Sequence, residues 1–449
     1  MPFPTDFAWG AATSSHQIEG AVEEDGRGPS IWETFSHTPG NVRNGDTADV
    51  ACDHYHRWAD DVDLMASYGL NAYRFSIAWP RIQPDGRGAA NQKGIDFYSR
   101  LVDRLLEKGI TPAATLYHWD LPQALQDDGQ GWQNRDIVER FAEYAEIVYR
   151  ALGDRVGWWL THNEPWCAAA IGHRMGRHAP GLRDERAELR VAHHLLLSHG
   201  RAVEAYRATG LAAPIGITLN LSPTYPSTDT DADRRASELS DAYTNRWYLD
   251  PVFRGAYPAD LLSVLEDRFA LDWVQPGDLE RIARPIDFLG VNYYARRVVR
   301  APVGDEPAEY AWVVCPSAQD VSLSDLGWEI TPKTLTDLLV RLRDDYGSPQ
   351  ILITENGCAI DDVIDTDGEV HDPRRIEFYR THLVAIEEAI RRGVDVRAYF
   401  AWSLLDNFEW AEGYAPRFGI TYVDYATQRR IPKDSARWYA EVIRRNGLP

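Results

Sequence analysis

The sequence has no apolar run long enough to cross a membrane, for which a helix needs about 20 residues. Its first residues show no basic start followed by an apolar core, so we expect no secretory signal. Cysteine is scarce, and its four positions form no CxxC pair, which argues against a zinc knuckle and a disulfide framework. Because free thiols persist in a reducing compartment, the sequence predicts a cytoplasmic protein with no membrane partner.

Positively charged residues are also few compared with negatively charged ones. The 47 Lys and Arg residues are outnumbered by 68 Asp and Glu, which leaves a net charge of −21. A chain this acidic repels nucleic acid, so we expect no nucleic-acid partner. No glycine-rich phosphate loop is present, and the pair His54-x-His56 lacks the further ligands that a metal ion needs. We therefore expect no metal and no cofactor, and the oligomeric state stays open.

What the chain does have is a strand-then-helix alternation and many aromatic residues. The 16 Trp and 22 Tyr have flat faces and polar edges that suit sugar-binding clefts. The eight predicted strands are Phe7–Ala12, Asn71–Trp79, Pro112–His118, Val156–Thr161, Ile215–Leu221, Ile286–Tyr294, Ile351–Thr354 and Val396–Leu404. The alternation predicts the α/β class and a single (β/α)8 TIM barrel over residues 1–449. Long βα loops at 222–240, 301–327 and 358–373 are expected over its active-site face.

Polar and aromatic residues collect where these strands end. In chain order they are Gln17 and Glu19, Arg74, His118 and Trp119, Asn163 and Glu164, Asn220, Asn292 and Tyr294, Glu355, and finally Trp402 with Glu409 and Trp410. A structural role explains any one of them easily but not all eight groups together. The coincidence predicts an active site at the carboxyl ends of the strands.

Glu355 belongs to the stretch Ile351–Gly357, ILITENG. Consecutive apolar residues predict a strand buried on both faces. The pair Asn356-Gly357 predicts the end of that strand, because both residues tolerate a positive φ. The alternative is a solvated Glu355 in a β-hairpin turn, since Asn-Gly is also a hairpin signal.

Glu164 offers a second carboxylate, although it could also be a helix N-terminal residue that interacts with the helix dipole. Cleavage of a glycosidic bond needs a protonated carboxyl for the leaving oxygen and a second carboxylate to attack the anomeric carbon or activate water. The two carboxyls must differ in pKa. If Arg74 reaches the barrel floor, its charge would favour the ionised form of Glu355.

Seven stretches make the chain resemble glycoside hydrolase family 1, the β-glucosidase family. They are FAWGAATSSHQIEG at 7–20, YRFSIAWPRI, YHWDLP, THNEP at 161–165, GVNYY, ITENG at 353–357 and WSLLDNFEWAEGY. They occur in the family's order and span essentially the whole chain.

The resemblance implies that Glu164 is the general acid/base and Glu355 the nucleophile of a retaining reaction, with carboxylates about 5–5.5 Å apart. It implies that Arg74, Asn292 and Tyr294 belong to the catalytic set, Tyr294 donating a hydrogen bond to the nucleophile. The implied substrate-binding residues are Gln17, His118, Trp119, Asn163, Trp328, Trp402, Glu409, Trp410 and Phe418. The family often has Leu, Phe or Ile at His162, which we expect to point into the barrel wall.

The implied function is that of an exo-β-glycosidase acting on small β-glucosides and short oligosaccharides, with β-galactosyl and β-fucosyl units as further candidates. One alternative is a 6-phospho-β-glycosidase, which Glu409 disfavours because a carboxylate repels phosphate. Another is a sugar-binding protein on an inactive barrel, which the presence of both carboxylates disfavours. Cys167 is expected in the outer shell of the site, and without a partner base it is a poor nucleophile.

Overall fold

The computed structural model describes residues 3–266, 268–316 and 321–449. Eight strands form a closed barrel in the order β1-β8-β7-β6-β5-β4-β3-β2, and every neighbouring pair is parallel. The strands are β1 (Ala8–Ala12), β2 (Ala72–Ser76), β3 (Thr111–Tyr117), β4 (Trp158–Asn163), β5 (Ile215–Asn220), β6 (Phe288–Asn292), β7 (Ile351–Asn356) and β8 (Val396–Trp402). The predicted (β/α)8 barrel is confirmed.

Helices connect the strands and cover the outside of the barrel. The longer ones are His54–Ser67, Gln92–Glu107, Ile137–Leu152, Glu185–Thr209, Asp231–Asp241, Pro332–Asp345, Pro373–Arg391 and Asp434–Arg445. The shorter ones are Ser15–Ile18, Ile31–His37, Trp79–Ile82, Gln123–Gly129, Cys167–Arg174, Ala242–Arg246, Trp247–Arg254, Ala259–Glu266 and Asp278–Ile282. No helix in the described ranges is long and apolar enough to cross a bilayer.

Local sequence signals account for the ends of the longest helix, Glu185–Thr209. The Asp184 side chain accepts hydrogen bonds from the backbone N–H groups of Arg186 and Ala187 at its start. Gly210 follows its last residue with φ +75°, a conformation that glycine adopts without strain. The sequence predicted this helix to within a few residues.

Two of the three predicted loops contain regular structure. The range 222–240 includes a short strand, Thr224–Pro226, and most of the helix Asp231–Asp241, whose first turn is capped by the side chain of Thr230. The helix is polar and buries few apolar side chains, which is why its pattern was missed. The range 301–327 includes the strand Val313–Val314, and its residues 317–320 lie outside the described residues. The range 358–372 is irregular, as expected.

The sequence predicts that β7 ends at Asn356-Gly357 because of backbone conformation, and the structure shows a different physical reason. The strand continues through Glu355 to Asn356, and neither Asn356 nor Gly357 has a positive φ. Glycine is needed at 357 because a Cβ there would lie 1.8 Å from the carbonyl oxygen of Trp402 on β8. The hairpin alternative is wrong, since β7 pairs in parallel with both β6 and β8.

Candidate active site

Glu355 lies at the carboxyl end of β7 and both its carboxylate oxygens are hydrogen-bonded. A guanidinium N–H of Arg74, from β2, donates to Oε1 at 2.7 Å, and the Tyr294 hydroxyl donates to Oε2 at 2.6 Å. Arg74 is fully buried and also donates to the Thr354 carbonyl at 3.1 Å. Burial and the nearby charge of Glu355 raise the pKa of Tyr294, so it stays protonated and able to donate. These contacts compensate the charge of Glu355 and fix its orientation.

Glu164 directly follows β4 with φ 49°, a sparsely populated conformation for a non-glycine residue. Asn292 Nδ2 donates to its Oε1 at 2.7 Å, and the Cys167 thiol donates to its Oε2 at 3.1 Å. Burial and the charge of Glu355 raise the pKa of Glu164 to about 7. Its backbone carbonyl accepts hydrogen bonds from Cys167 N and Ala168 N, so Glu164 stands at the N-terminus of the helix that follows. Its carboxyl oxygens are bonded to Asn292 and to the Cys167 thiol, and no helix N–H among the described residues donates to them.

Thr354 fixes the orientation of Asn292, a role that no sequence pattern indicates. Its hydroxyl donates to Asn292 Oδ1 at 2.7 Å. The amide nitrogen of Asn292 is thereby directed toward Glu164 Oε1 and Asn163 Oδ1, the latter at 3.1 Å. Thr354 precedes Glu355, so β7 orders both carboxylates at once.

Asn163 connects the charged floor of the site to His118. Its Oδ1 accepts a hydrogen bond of 2.6 Å from Arg74, and its Nδ2 donates to His118 Nε2 at 3.0 Å. Because Nε2 accepts, this network assigns the ring proton to Nδ1, which has no partner in the part of the chain that the structure describes. Burial and the Arg74 charge hold the pKa of His118 well below its usual value. His118 is thus a neutral donor with its N–H unused.

The segment after β8 carries a third carboxyl of the site, that of the half-buried Glu409. Gln17 Nε2 donates to Asn407 Oδ1 at 3.0 Å and to the Phe408 carbonyl at 2.9 Å, while its Oε1 accepts from Ser14 at 2.6 Å. Both N–H groups of Gln17 are therefore used, and its free capacity is as an acceptor. The Oε2 atom of Glu409 is buried and has no partner among the described residues, and burial with the charges of Glu355 and Glu164 raises its pKa to about 8.

Aromatic rings wall this region. The His118 ring lies 6.0 Å from both Trp402 and Trp410 and is nearly parallel to each, at 19° and 18°. Trp119 packs 4.5 Å from Trp410, and its indole N–H donates to the Asn163 carbonyl at 2.8 Å. The ring contact and the N–H hydrogen bond together fix the position of Trp119, which packs against Trp410.

A second aromatic group lies beside Tyr294. Trp328 is 5.4 Å from the Tyr294 ring and 6.0 Å from that of Phe418, and Tyr294 and Phe418 are 6.1 Å apart. Trp328 is 39% exposed, whereas Phe418 is buried. Trp328 therefore presents an open aromatic surface on the solvent side of Glu355.

The other histidines singled out from the sequence lie elsewhere. His162 Nε2 pairs with Ser198 Oγ at 2.8 Å and its ring stacks on Phe141 at 4.5 Å, so it packs outward between the barrel and its helices. His54 pairs with Asp61 and His56 is hydrogen-bonded to Asp53, at 2.7 and 2.6 Å. Within the described part of the chain, no group of three or more His, Cys, Asp or Glu residues could hold a metal ion.

An eight-stranded parallel barrel with two buried carboxyls in different environments, at the ends of β4 and β7, has the arrangement of a glycoside hydrolase. The model of the family described as "Glycosyl hydrolase family 1" matches residues 1–448. The chain belongs to this family.

Known relatives resemble the chain over its full length. Beta-glucosidase A of Acetivibrio thermocellus is 50% identical, covering 100% of this chain and 99% of the relative. The bifunctional beta-D-glucosidase/beta-D-fucosidase of Bifidobacterium breve is 49% identical, covering 99% and 98%. The structure of the Thermotoga maritima beta-glucosidase in complex with deoxynojirimycin is 47% identical with a TM-score of 0.94, and all of each chain is covered.

Proposed function

We propose that this chain, as one barrel domain, is a retaining exo-β-glycosidase that removes terminal β-D-glucosyl units from small glucosides and short oligosaccharides. The observation that carries the proposal is the difference between the two carboxyls. Glu355 faces the positive charge of Arg74, whereas burial and the charge of Glu355 raise the pKa of Glu164 to about 7. One carboxyl is suited to attack and the other to protonate.

The reaction proceeds in two displacements. Glu355 attacks the anomeric carbon while Glu164 gives its proton to the departing glycosidic oxygen, and a glucosyl ester on Glu355 results. The Tyr294 hydroxyl and Arg74 hold the attacking carboxylate in place. Glu164, now ionised, takes a proton from water, which attacks the same carbon and frees Glu355. Two inversions leave the anomeric configuration retained, and the predicted carboxylate spacing remains part of this proposal.

The hydrogen-bonding groups of the site that stay unused within the described ranges are those that a sugar would engage. They are the Nδ1–H of His118, the buried Oε2 of Glu409 and the remaining acceptor capacity of Gln17. Trp402 and Trp410 flank His118 and provide the apolar faces on which a sugar ring packs. The terminal sugar therefore lies among the ends of β1, β3 and β8, and Trp328 borders the leaving group.

Azide rescue tests the two roles separately. With a dinitrophenyl β-glucoside, Glu355→Ala should lose turnover, and azide should restore it with the inverted α-glucosyl azide as product. Glu164→Ala should instead give the retained β-glucosyl azide, because the nucleophile is intact. Glu441→Ala, at a partly exposed carboxylate of the C-terminal helix that pairs with Arg444 and Arg445, is the matched control. Wild-type turnover by Glu355→Ala would refute the assignment.

The sugar preference is set by O4 and O6, where glucose, galactose and fucose differ. The Bifidobacterium breve relative is named for both glucosidase and fucosidase action, which supports activity on β-fucosides as well. None of the relatives reported above is named as a 6-phospho-β-glycosidase, so this alternative is not favoured. Comparing kcat/KM for nitrophenyl β-glucoside, β-galactoside and β-fucoside, and for cellobiose and its 6-phosphate, tests the range.

A further inference from the structure

A cavity of about 600 Å³, open to solvent, lies apart from the two carboxyls, between residues 128–135 and the helix Glu185–Thr209. None of the active-site residues described above lines it. Its volume is within the range typical of small-molecule sites. The lining residues that matter here are Gln130, Gln133, Arg190, His194, Trp273 and Gln275.

Arg190 supplies an uncompensated donor to this cavity. Its guanidinium lies 5.5 Å over the ring of Trp273. The neighbouring Arg135 and Arg186 are paired with Asp278 and Asp272, whereas Arg190 has no ion-pair partner among the residues that the structure describes. Its Nε makes no hydrogen bond among the described residues. No hydrogen bond within the described ranges uses its terminal N–H groups either, so these can donate to a ligand in the cavity.

His194 supplies an acceptor. Its Nδ1 lies 2.8 Å from the carbonyl oxygen of Trp132, so Nδ1 carries the ring proton and Nε2 carries a lone pair. Burial and the charges of neighbouring groups lower the pKa of His194 to about 4, so the ring is neutral at pH 7. No protein group within the described ranges bonds to Nε2, and His194 lines the cavity.

The mixture of these groups selects the class of ligand. The amides of Gln130, Gln133 and Gln275 both donate and accept, and no protein hydrogen bond within the described ranges uses their side chains. A carboxylate would satisfy Arg190 but has no hydrogen to donate to the lone pair of His194. Hydroxyl groups donate to the imidazole and accept from the guanidinium. Trp273 adds an apolar edge beside them.

We propose that this cavity is a second binding site for a neutral sugar, of mono- or disaccharide size. The proposal rests on the proposed function only in the choice of glucose as the probe.

The test is a calorimetric titration of D-glucose into enzyme already saturated with deoxynojirimycin, which occupies the catalytic pocket. Wild type should bind glucose, and Arg190→Met should weaken that binding about tenfold, the loss expected for hydrogen bonds to a charged group. Gln133→Ala is a second variant that should weaken it in the same direction. Arg186→Met is the matched control, since Arg186 also lies over Trp273 but does not line the cavity.

The outcomes separate this site from the catalytic one. Hydrolysis of a nitrophenyl glucoside should be unchanged in Arg190→Met, and a loss of hydrolysis in all variants and wild type would count against the proposed function alone. The second site is overturned if wild type binds no glucose, if Arg190→Met and Gln133→Ala bind it as wild type does, or if inorganic phosphate binds there and glucose does not.

Discussion

The hydrogen bond from the Cys167 thiol to Glu164 makes a pH-dependent prediction. A donor facing a carboxylate stabilises its ionised form and lowers its pKa. Cys167→Ala removes one of the two donors of Glu164, so the proton binds more tightly and the pKa rises above its value of about 7. The acid form of Glu164 then persists to higher pH, and the basic limb of the kcat/KM profile should move upward.

The size of the shift follows from the bond. A hydrogen bond to a charged group contributes about 1.5–3 kcal/mol. Because a thiol is a weak donor, we expect half of that contribution, about 0.75–1.5 kcal/mol, to be lost. At about 1.4 kcal/mol per pKa unit, the basic limb should move by about 0.5–1 unit. Both side chains are less than a tenth exposed, so water cannot readily replace the thiol.

The assay is kcat/KM for cellobiose from pH 5 to 9, since its poor leaving group needs protonation and the profile reports the free enzyme. Cys167→Ser keeps a donor and should leave the limb in place or lower it. Cys315→Ala removes a thiol that has no contact with Glu164 and should change nothing. A basic limb that stays still, or moves down, in Cys167→Ala would show that the thiol does not control this proton.

Three further substitutions test the geometry of the site. Tyr294→Phe removes a donor from the Glu355 carboxylate and should lower kcat/KM about 10- to 100-fold, equivalent to about 1.5–3 kcal/mol, with folding stability checked by urea unfolding. Gly357→Ala places a Cβ against a carbonyl of β8, which cannot yield as a side chain can, and should cost about 1–3 kcal/mol of unfolding free energy; a wild-type urea midpoint would contradict this. Thr354→Val removes the donor to Asn292 Oδ1, so the Asn292 amide can turn away from Glu164. Hydrolysis of cellobiose, whose poor leaving group needs protonation, should slow more than hydrolysis of a nitrophenyl glucoside; equal effects on both would contradict this.

The sequence was sufficient for the barrel and for the residues at its strand ends. Strand ends are local, so a carboxylate directly after an apolar run, such as Glu355, can be recognised without knowing its partners. The contact of Thr354 with Asn292 could not be found this way, because it joins two strands and depends on the direction of both side chains. The same limit explains Gly357, whose requirement comes from β8 and not from its own backbone conformation.

The sequence also does not show which hydrogen-bond donors and acceptors lack a partner in the folded protein. His118 was identified by its position, but its unused Nδ1–H follows from an amide on the neighbouring strand. The polar composition of 222–240 predicts a loop, whereas the helix Asp231–Asp241 found there is set by the capping side chain of Thr230 and by packing on the strand Arg297–Arg300. Tertiary contacts decided these cases.

The sugar contact proposed for Glu409 would link binding to proton release. Burial and the charges of Glu355 and Glu164 raise the pKa of Glu409 to about 8, so the empty site holds a proton there at neutral pH. A sugar hydroxyl that donates to this carboxyl favours its ionised form, so binding as proposed releases that proton and grows tighter as the pH rises toward 8. In the proposed mechanism Glu164 has the opposite requirement, since it must keep its proton to act. The two carboxyls therefore have opposite effects on the pH of highest activity, which lies where sugar affinity and proton donation balance.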